Sequence, residues 1–177
     1  LRDKVAPEQW RLQKKERGQQ QDADGEIIAE KPVNEDITQE RLIKEMESFL
    51  GDQYQTPPMF SAKKIGGVPL YKMARKGKTV EREPRFIRIN ELTLKSWISP
   101  TGDFFMDCSK GTYVRTIVHD LGQRLDCGAH LKALRRTKID QFDIANSLTL
   151  EEINEVPLGE FHNHLIPVRE AVPSHVF

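Results

Sequence analysis

Cysteine is scarce in this chain: Cys108 and Cys127 are the only two in 177 residues. Without a Cys-x-x-Cys pair they build neither a disulfide scaffold nor a cysteine zinc site. A reducing compartment, the cytoplasm, is therefore expected, with both thiols packed and idle. No apolar run approaches the roughly 18 residues that a bilayer-spanning helix needs, and no signal-peptide pattern is present. Also missing are the phosphate-binding GxxxxGK[ST], the dinucleotide-binding GxGxxG and the zinc-binding HExxH. His119, His130, His162, His164 and His175 show no i, i+4 pairing. His162 and His164 would share a strand face, yet nothing beside them completes a metal site. No membrane association, metal or nucleotide cofactor is expected.

An excess of either charge is absent too, with 27 Lys plus Arg against 27 Asp plus Glu. The mean hydropathy of −0.60 and pI near 7.1 suit a polar-surfaced globular chain of 20.4 kDa, one domain or one domain plus a fragment. That balance conceals segregation. Residues 61–95 carry 10 basic against 3 acidic side chains, and residues 110–138 carry 7 against 2. Residues 1–60 are net −4, residues 96–109 net −2 and residues 139–177 net −6. Two basic blocks are the footprint of a polyanion binder if the fold joins them, and two solvated faces if it does not.

Residues 1–21 have no apolar period and include Gln19-Gln20-Gln21, so they are expected to be loosely ordered and are assigned to no domain. The first residue is Leu1 rather than Met, which suggests a piece of something longer. Leu42, Ile43, Met46, Phe49 and Leu50 behind Thr38 predict an amphipathic helix closed by Gly51. Thr56-Pro57-Pro58 forbids a central strand, and Gly66-Gly67 marks a turn. Pro69 opens a short helix over 70–76 that Gly77 ends. Residues 84–98 and 103–108 read as a hairpin about Pro100-Thr101-Gly102. The clearest helix holds Val114, Ile117, Val118, Leu121 and Leu125, with Thr112 as expected N-cap and Gly128 beyond its end. Leu131 to Ile139 reads as extended and basic. Thr149-Leu150-Glu151-Glu152 is a capping-box pattern. Hairpins with helices set between strands predict an α+β fold with a mixed or antiparallel sheet and flanking helices, with no clean boundary across 27–155.

The informative segment is Cys108-Ser109-Lys110-Gly111-Thr112-Tyr113-Val114-Arg115-Thr116. A strand leaves, Gly111 turns, and a helix starts whose free N–H groups, beside Lys110, suit a phosphate oxygen. Tyr113 offers a flat face for an unstacked base, and Arg115 a fork for a carboxylate. The two share a side if the segment is extended and diverge if it is helical, and the spacing leaves both open. An ordinary strand-to-helix turn with a packed tyrosine and a surface arginine fits the same residues. In Cys127 to Arg136, Leu134 and Arg135 would point to opposite faces of a strand, with Arg136 opposite Arg135 in turn. Phe60-Ser61-Ala62-Lys63-Lys64 again sets lysines after an aromatic. Three such aromatic, basic and glycine-turn features favour RNA binding over any one alone.

Four motifs in order, Pro57 to Lys64, Leu70 to Gly77, Cys108 to Thr116 and Cys127 to Arg136, closely resemble the TruB family of tRNA pseudouridine synthases. The likeness runs from about Asp22 to about Glu152. The resemblance implies a pseudouridine synthase-like catalytic fold, in part, over 22–177. It also implies cofactor-free isomerisation of uridine 55 in the T-loop of tRNA. In that reaction an aspartate is the nucleophile, the glycosidic bond breaks, the base turns and C5 bonds to the sugar, with the base flipped out of its loop. By family pattern Tyr113 stacks on the base and assists loss of the C5 proton. Arg115 pairs with the aspartate, and Leu134 packs on the nucleotide. Lys63, Lys64, Lys110, Arg135 and Arg136 approach the backbone of the T-arm stem-loop.

The family's nucleophile lies in Gly-x-Leu-Asp-Pro, and Leu-Asp-Pro does not occur in these 177 residues. Residues 1–20 match no recognised part of the family, and the roughly 25 residues after Glu152 are too few for its RNA-binding PUA domain. The expectation is thus a monomeric C-terminal part of such an enzyme, inactive by itself. The alternatives are a non-catalytic RNA-binding or tRNA-folding module, or an inactive remnant.

Overall fold

Thr38 opens the first helix as its side chain predicts: Oγ1 accepts the Arg41 N–H at 3.3 Å, capping α1 (Gln39–Glu47) with Leu42 and Met46 buried. The computed structural model describes residues 2–12, 16–17, 27–29 and 36–172. Before α1 come strands β1 (Arg2–Leu12), β2 (Glu16–Arg17) and β3 (Ile27–Ala29). After it follow β4 (Gly51–Gln55), β5 (Lys64–Ile65), β6 (Val68–Pro69), α2 (Leu70–Ala74), β7 (Arg85–Ile98), β8 (Thr101–Ser109) and α3 (Val114–Arg124). Strands β9 (Ala129–Leu131), β10 (Arg136–Ile139) and β11 (Phe142–Asp143) follow, then helices α4 (Leu150–Glu155) and α5 (Val168–Ala171). No helix among the described residues is long and apolar enough to cross a membrane.

The main sheet has seven strands in the order β11-β10-β1-β8-β7-β4, with β9 also paired to β1. Every described pairing in it is antiparallel. The hairpin of β7 and β8 is its longest. Alternation in β7 is imperfect because its register on β8 shifts between Ile89 and Glu91 and again between Leu94 and Ser96. The extra residue at the first bulge lets both Ile89 and Leu92, three apart, reach the core face. There they meet Ile87 of β7, Phe104, Met106 and Cys108 of β8, Leu42 and Met46 of α1, and Val114, Ile117, Val118 and Leu121 of α3. Arg124 ties α3 to the end of α1, its guanidinium 3.9 Å over the Phe49 ring and bonded to the Ser48 hydroxyl. A smaller cluster of Met59, Leu70 and Ala74 forms around α2, which stops two residues short of expectation at Ala74.

Two findings differ from the sequence reading. Residues 2–12, within the stretch expected to be loosely ordered, form β1 inside the main sheet, paired to β8 on one side and to β10 and β9 on the other. The remaining positions 1, 13–15 and 18–21 lie outside the described residues. Pro7, which has no N–H to give a ladder, falls in the break in register between Val5 and Glu8. The chain also divides into two compact units, 1–144 and 145–177, where no boundary was expected. The second unit is built of short elements with no buried residue among those described, so it sends no apolar signal that would mark a boundary.

That second unit begins its helix α4 with the capping box in full: the Thr149 N–H donates to Glu152 Oε2 at 2.7 Å, and the Glu152 N–H to Thr149 Oγ1 at 3.1 Å. The Thr149 backbone bond, followed by its hydroxyl, holds the Glu152 carboxyl below the ordinary value of 4.5. A depressed carboxylate contributes its stabilisation fully above the unfolded value and loses it as pH falls through the lower folded value. Helicity over residues 150–155, followed by 13Cα shifts, is expected to hold from pH 7 to about pH 5 and to fall only below that. A fall between pH 7 and pH 5 would contradict the cap. In the first unit, α3 and β9 meet at Gly122, where a Cβ would overlap the Ala129 backbone nitrogen and the Gly128 carbonyl carbon. Gly122→Ala is expected to destabilise the protein by about 3 kcal/mol or more in urea unfolding, and an unchanged midpoint would refute this close approach.

Candidate functional site

Strand β8 ends at Ser109, and the chain must turn from the sheet into α3 within four residues. Gly111 makes that turn at φ +85°, in the left-handed region that favours glycine. The expected N-cap Thr112 lies one residue early. Its hydroxyl turns back to the Ser109 carbonyl at 2.8 Å, and Tyr113 holds the N-cap position with extended φ −97° and ψ 101°. Tyr113 and Arg115 are thereby separated by the change from extended to helical backbone. Both residues line one cavity of about 410 Å³, together with Cys108, Gly111, Thr112, Val114, Leu134 and Arg136.

Lining residue Leu134 comes from 132–135, which has no ladder bonds and links β9 to β10. The extended stretch expected over 131–139 is thus interrupted at its middle. Leu134 and Arg136, two residues apart, both line the cavity, whereas Arg135 between them is exposed and does not. Leu134 keeps 53 % of its surface exposed, an apolar side chain presented to the opening. Neither Lys63 nor Lys64 lines the cavity. Lys63 is half-buried and Lys64 exposed in β5. Lys110 is exposed beside Gly111 at the rim. The N–H groups of Thr112, Tyr113, Thr116 and Ile117 all donate within the chain, so these four are not the open phosphate cradle that the sequence suggests.

A third segment brackets the site. Gln55, the last residue of edge strand β4, is 5 % exposed. Its Nε2 donates to the Tyr113 carbonyl at 3.2 Å, and its Oε1 accepts the Tyr113 N–H at 2.7 Å. Five residues on, the Phe60 carbonyl accepts Arg115 Nη2 at 2.8 Å. Between them Pro57, Pro58 and Met59 are buried, and the Pro57 carbonyl accepts Arg82 Nη1 at 3.2 Å. Sequence reasoning missed Gln55 because its partner is 58 residues away. The local hint is its place immediately before Thr56-Pro57-Pro58, where a strand must stop.

Farther along α3, burial raises the Asp120 carboxyl above its ordinary value, opposed by the charges of His119 and Arg124. Asp120 does not line the cavity. Among the described residues no group of three His, Cys, Asp or Glu is placed to hold a metal. The cavity therefore offers a phenol ring, a guanidinium, an exposed leucine and a second arginine. That set suits a planar, hydrogen-bonding ring attached to an anionic backbone.

A family model described as TruB family pseudouridylate synthase (N terminal domain) matches residues 9–114. A second, tRNA pseudouridylate synthase B C-terminal domain, matches residues 115–172. Together they extend beyond the Asp22 to Glu152 span marked by the motifs. The chain is 58 % identical over 156 residues to the tRNA pseudouridine synthase B of Opitutus terrae, covering 88 % of this chain and 64 % of that protein. It is 49 % identical over 135 residues to that of Pseudomonas aeruginosa, covering 76 % and 44 %. The chain thus spans less than two thirds of the length of these relatives. In fold it is similar to a crystallised Cbf5-Nop10-Gar1 complex, with TM-score 0.66 and 19 % identity over 97 % of this chain and 43 % of that one. It is also similar to an H/ACA RNP bound to a substrate RNA containing 2'-deoxyuridine, with TM-score 0.58 and 16 % identity over 93 % and 37 %.

The bracket makes a stability prediction. Arg115→Met removes the guanidinium from the half-buried Phe60 carbonyl and is expected to cost about 1–3 kcal/mol in urea unfolding. No change in midpoint would show that the bond to Phe60 does not hold this loop.

Proposed function

Since this chain belongs to the TruB family of pseudouridylate synthases, we propose that it forms the base-holding side of a site that isomerises uridine 55 of the tRNA T-loop to pseudouridine. The observation that carries the reading is the shared cavity of Tyr113, Arg115 and Leu134. In this reading the extruded uracil stacks on the Tyr113 ring and packs against Leu134. The base loses its bond from N1 to the sugar, turns, and gains one from C5. The C5 proton leaves with help from the Tyr113 phenol, and N1 regains a proton, so the reaction is a net isomerisation. Arg115 pairs with the nucleophilic carboxylate and orients it. Arg136, which lines the cavity, meets the RNA phosphates together with Lys63, Lys64, Lys110 and Arg135, contacts that position without reading sequence.

The carboxylate itself has no counterpart here, because Leu-Asp-Pro is absent from the sequence. The chain alone is therefore proposed to bind a T-arm stem-loop weakly and to leave its uridine unchanged. The same absence is what favours the second reading, a non-catalytic RNA-binding or tRNA-folding module.

One hybrid separates the two readings. A family segment carrying Gly-x-Leu-Asp-Pro, joined ahead of residue 1 so that β1 is kept, is expected to produce pseudouridine in a T-arm stem-loop, whereas the 177-residue chain produces none. In that hybrid Tyr113→Leu is expected to lower turnover by about a hundredfold or more while RNA affinity falls by about tenfold at most. Pseudouridine from the unmodified chain, or a Tyr113→Leu variant that loses affinity but keeps its turnover, would overturn the assignment. A hybrid that binds RNA and never isomerises would favour the binding module.

A further inference from the structure

Tyr113 is tied to α3 through its carbonyl, which accepts the Thr116 N–H at 3.0 Å and the Ile117 N–H at 3.2 Å, while no helix bond holds its N–H side. Gly111, two residues before, is turned to φ +85°, and Tyr113 is still extended while Val114 is already helical. A few tens of degrees at φ of 113 would swing the phenol ring relative to the Gly111 turn. Helix starts are ordinarily fixed by a side-chain oxygen at the N-cap, which takes one of the free N–H groups. Here the N-cap residue makes no such bond, and its own N–H and carbonyl are both engaged by one carboxamide from another part of the chain, Gln55.

We infer that Gln55 is a positioning residue for the base: its two bonds to the Tyr113 backbone set where the phenol ring stands in the cavity. The inference rests on the reading of that cavity as a uracil pocket.

Three features make Gln55 a fixed support. It is almost wholly buried, so water does not substitute for Tyr113 as its partner. It ends a strand laid against β7, with Gln55 opposite Arg85 in register. Beyond it Pro57 and Pro58 restrict the backbone up to Phe60, whose carbonyl takes Arg115. One stiff segment thereby fixes both cavity residues, Tyr113 through its main chain and Arg115 through its guanidinium.

A carboxamide presents one acceptor and one donor, and a protonated carboxylic acid presents the same pair in nearly the same shape, whereas a carboxylate only accepts. Gln55→Glu should therefore keep the bond from the Tyr113 N–H at every pH. It should regain the bond to the Tyr113 carbonyl only when protonated, and burial favours the protonated form.

The test uses the 177-residue chain and two T-arm stem-loops, one with uridine at the target position and one abasic there. The abasic RNA reports the phosphate contacts, and the ratio of the two affinities reports the base. The unaltered chain is expected to bind the uridine form roughly tenfold more tightly, at both pH 8 and pH 5.5. Gln55→Leu should bring the ratio close to one while abasic binding stays within about twofold. Gln55→Glu should show a ratio close to one at pH 8 and most of the original ratio at pH 5.5.

A Gln55→Leu variant that keeps the full ratio overturns the inference while the pocket stands. If that variant fails to fold, the pH response of Gln55→Glu decides: recovery in acid supports the inference, and a ratio independent of pH overturns it. An unaltered chain that does not distinguish uridine from an abasic site removes the pocket reading, and the role of Gln55 with it.

Discussion

One carboxamide facing the N–H and carbonyl of one residue joins the two parts of this chain that the site needs. Gln55 at the sheet edge and Tyr113 at the start of α3 exchange a donor and an acceptor each, with Gln55 buried and Tyr113 half-buried. A polar pair in such a place is costly to leave half-made, which gives it a single geometry. The rest follows from that fixed point. Helix α3 leaves Tyr113 with its apolar face on the sheet, Arg115 comes round to the Phe60 carbonyl, and the 132–135 link supplies Leu134 to the cavity.

The sheet makes this arrangement rigid. Strands β7 and β8 run long and antiparallel and carry both α1 and α3 on one face. Gly122 lets α3 approach β9 closely enough that 132–135 begins directly beside the helix. The basic block at 110–138 contains the cavity residues from Gly111 to Arg115 together with Leu134 and Arg136, and the block at 61–95 begins directly after Phe60. With the net-negative ends of the chain, this gives a neutral protein whose positive charge is concentrated in the stretches that build or flank the site.

Where the signal was local, the sequence was readable. Thr38 before an amphipathic run, Thr149 three residues before Glu152, and the alternation flanking Pro100 each led to the element they announce, because a cap or a hairpin is decided within a few residues. Strand β1 was not legible, since Arg2 to Leu12 lacks alternation and contains Pro7. Its strand character comes from pairing on both sides with segments about a hundred or more residues away. Tyr113, Arg115 and Leu134 were singled out by family resemblance, yet the spacing of Tyr113 and Arg115 left open whether they share a side. The answer turned on a one-residue shift of the helix start from Thr112 to Tyr113. For Gln55 the local sequence marks only a strand end before Thr56-Pro57-Pro58, as its role lies in a partner 58 residues on.

The central claim is that an extruded target base enters the space between Tyr113 and Leu134. Its most direct test is photocrosslinking of a T-arm stem-loop carrying 4-thiouridine at the target position, with the attachment site mapped by mass spectrometry. Adducts are expected within residues 111–115 and 134–136. Adducts confined to other segments of the chain would contradict the claim.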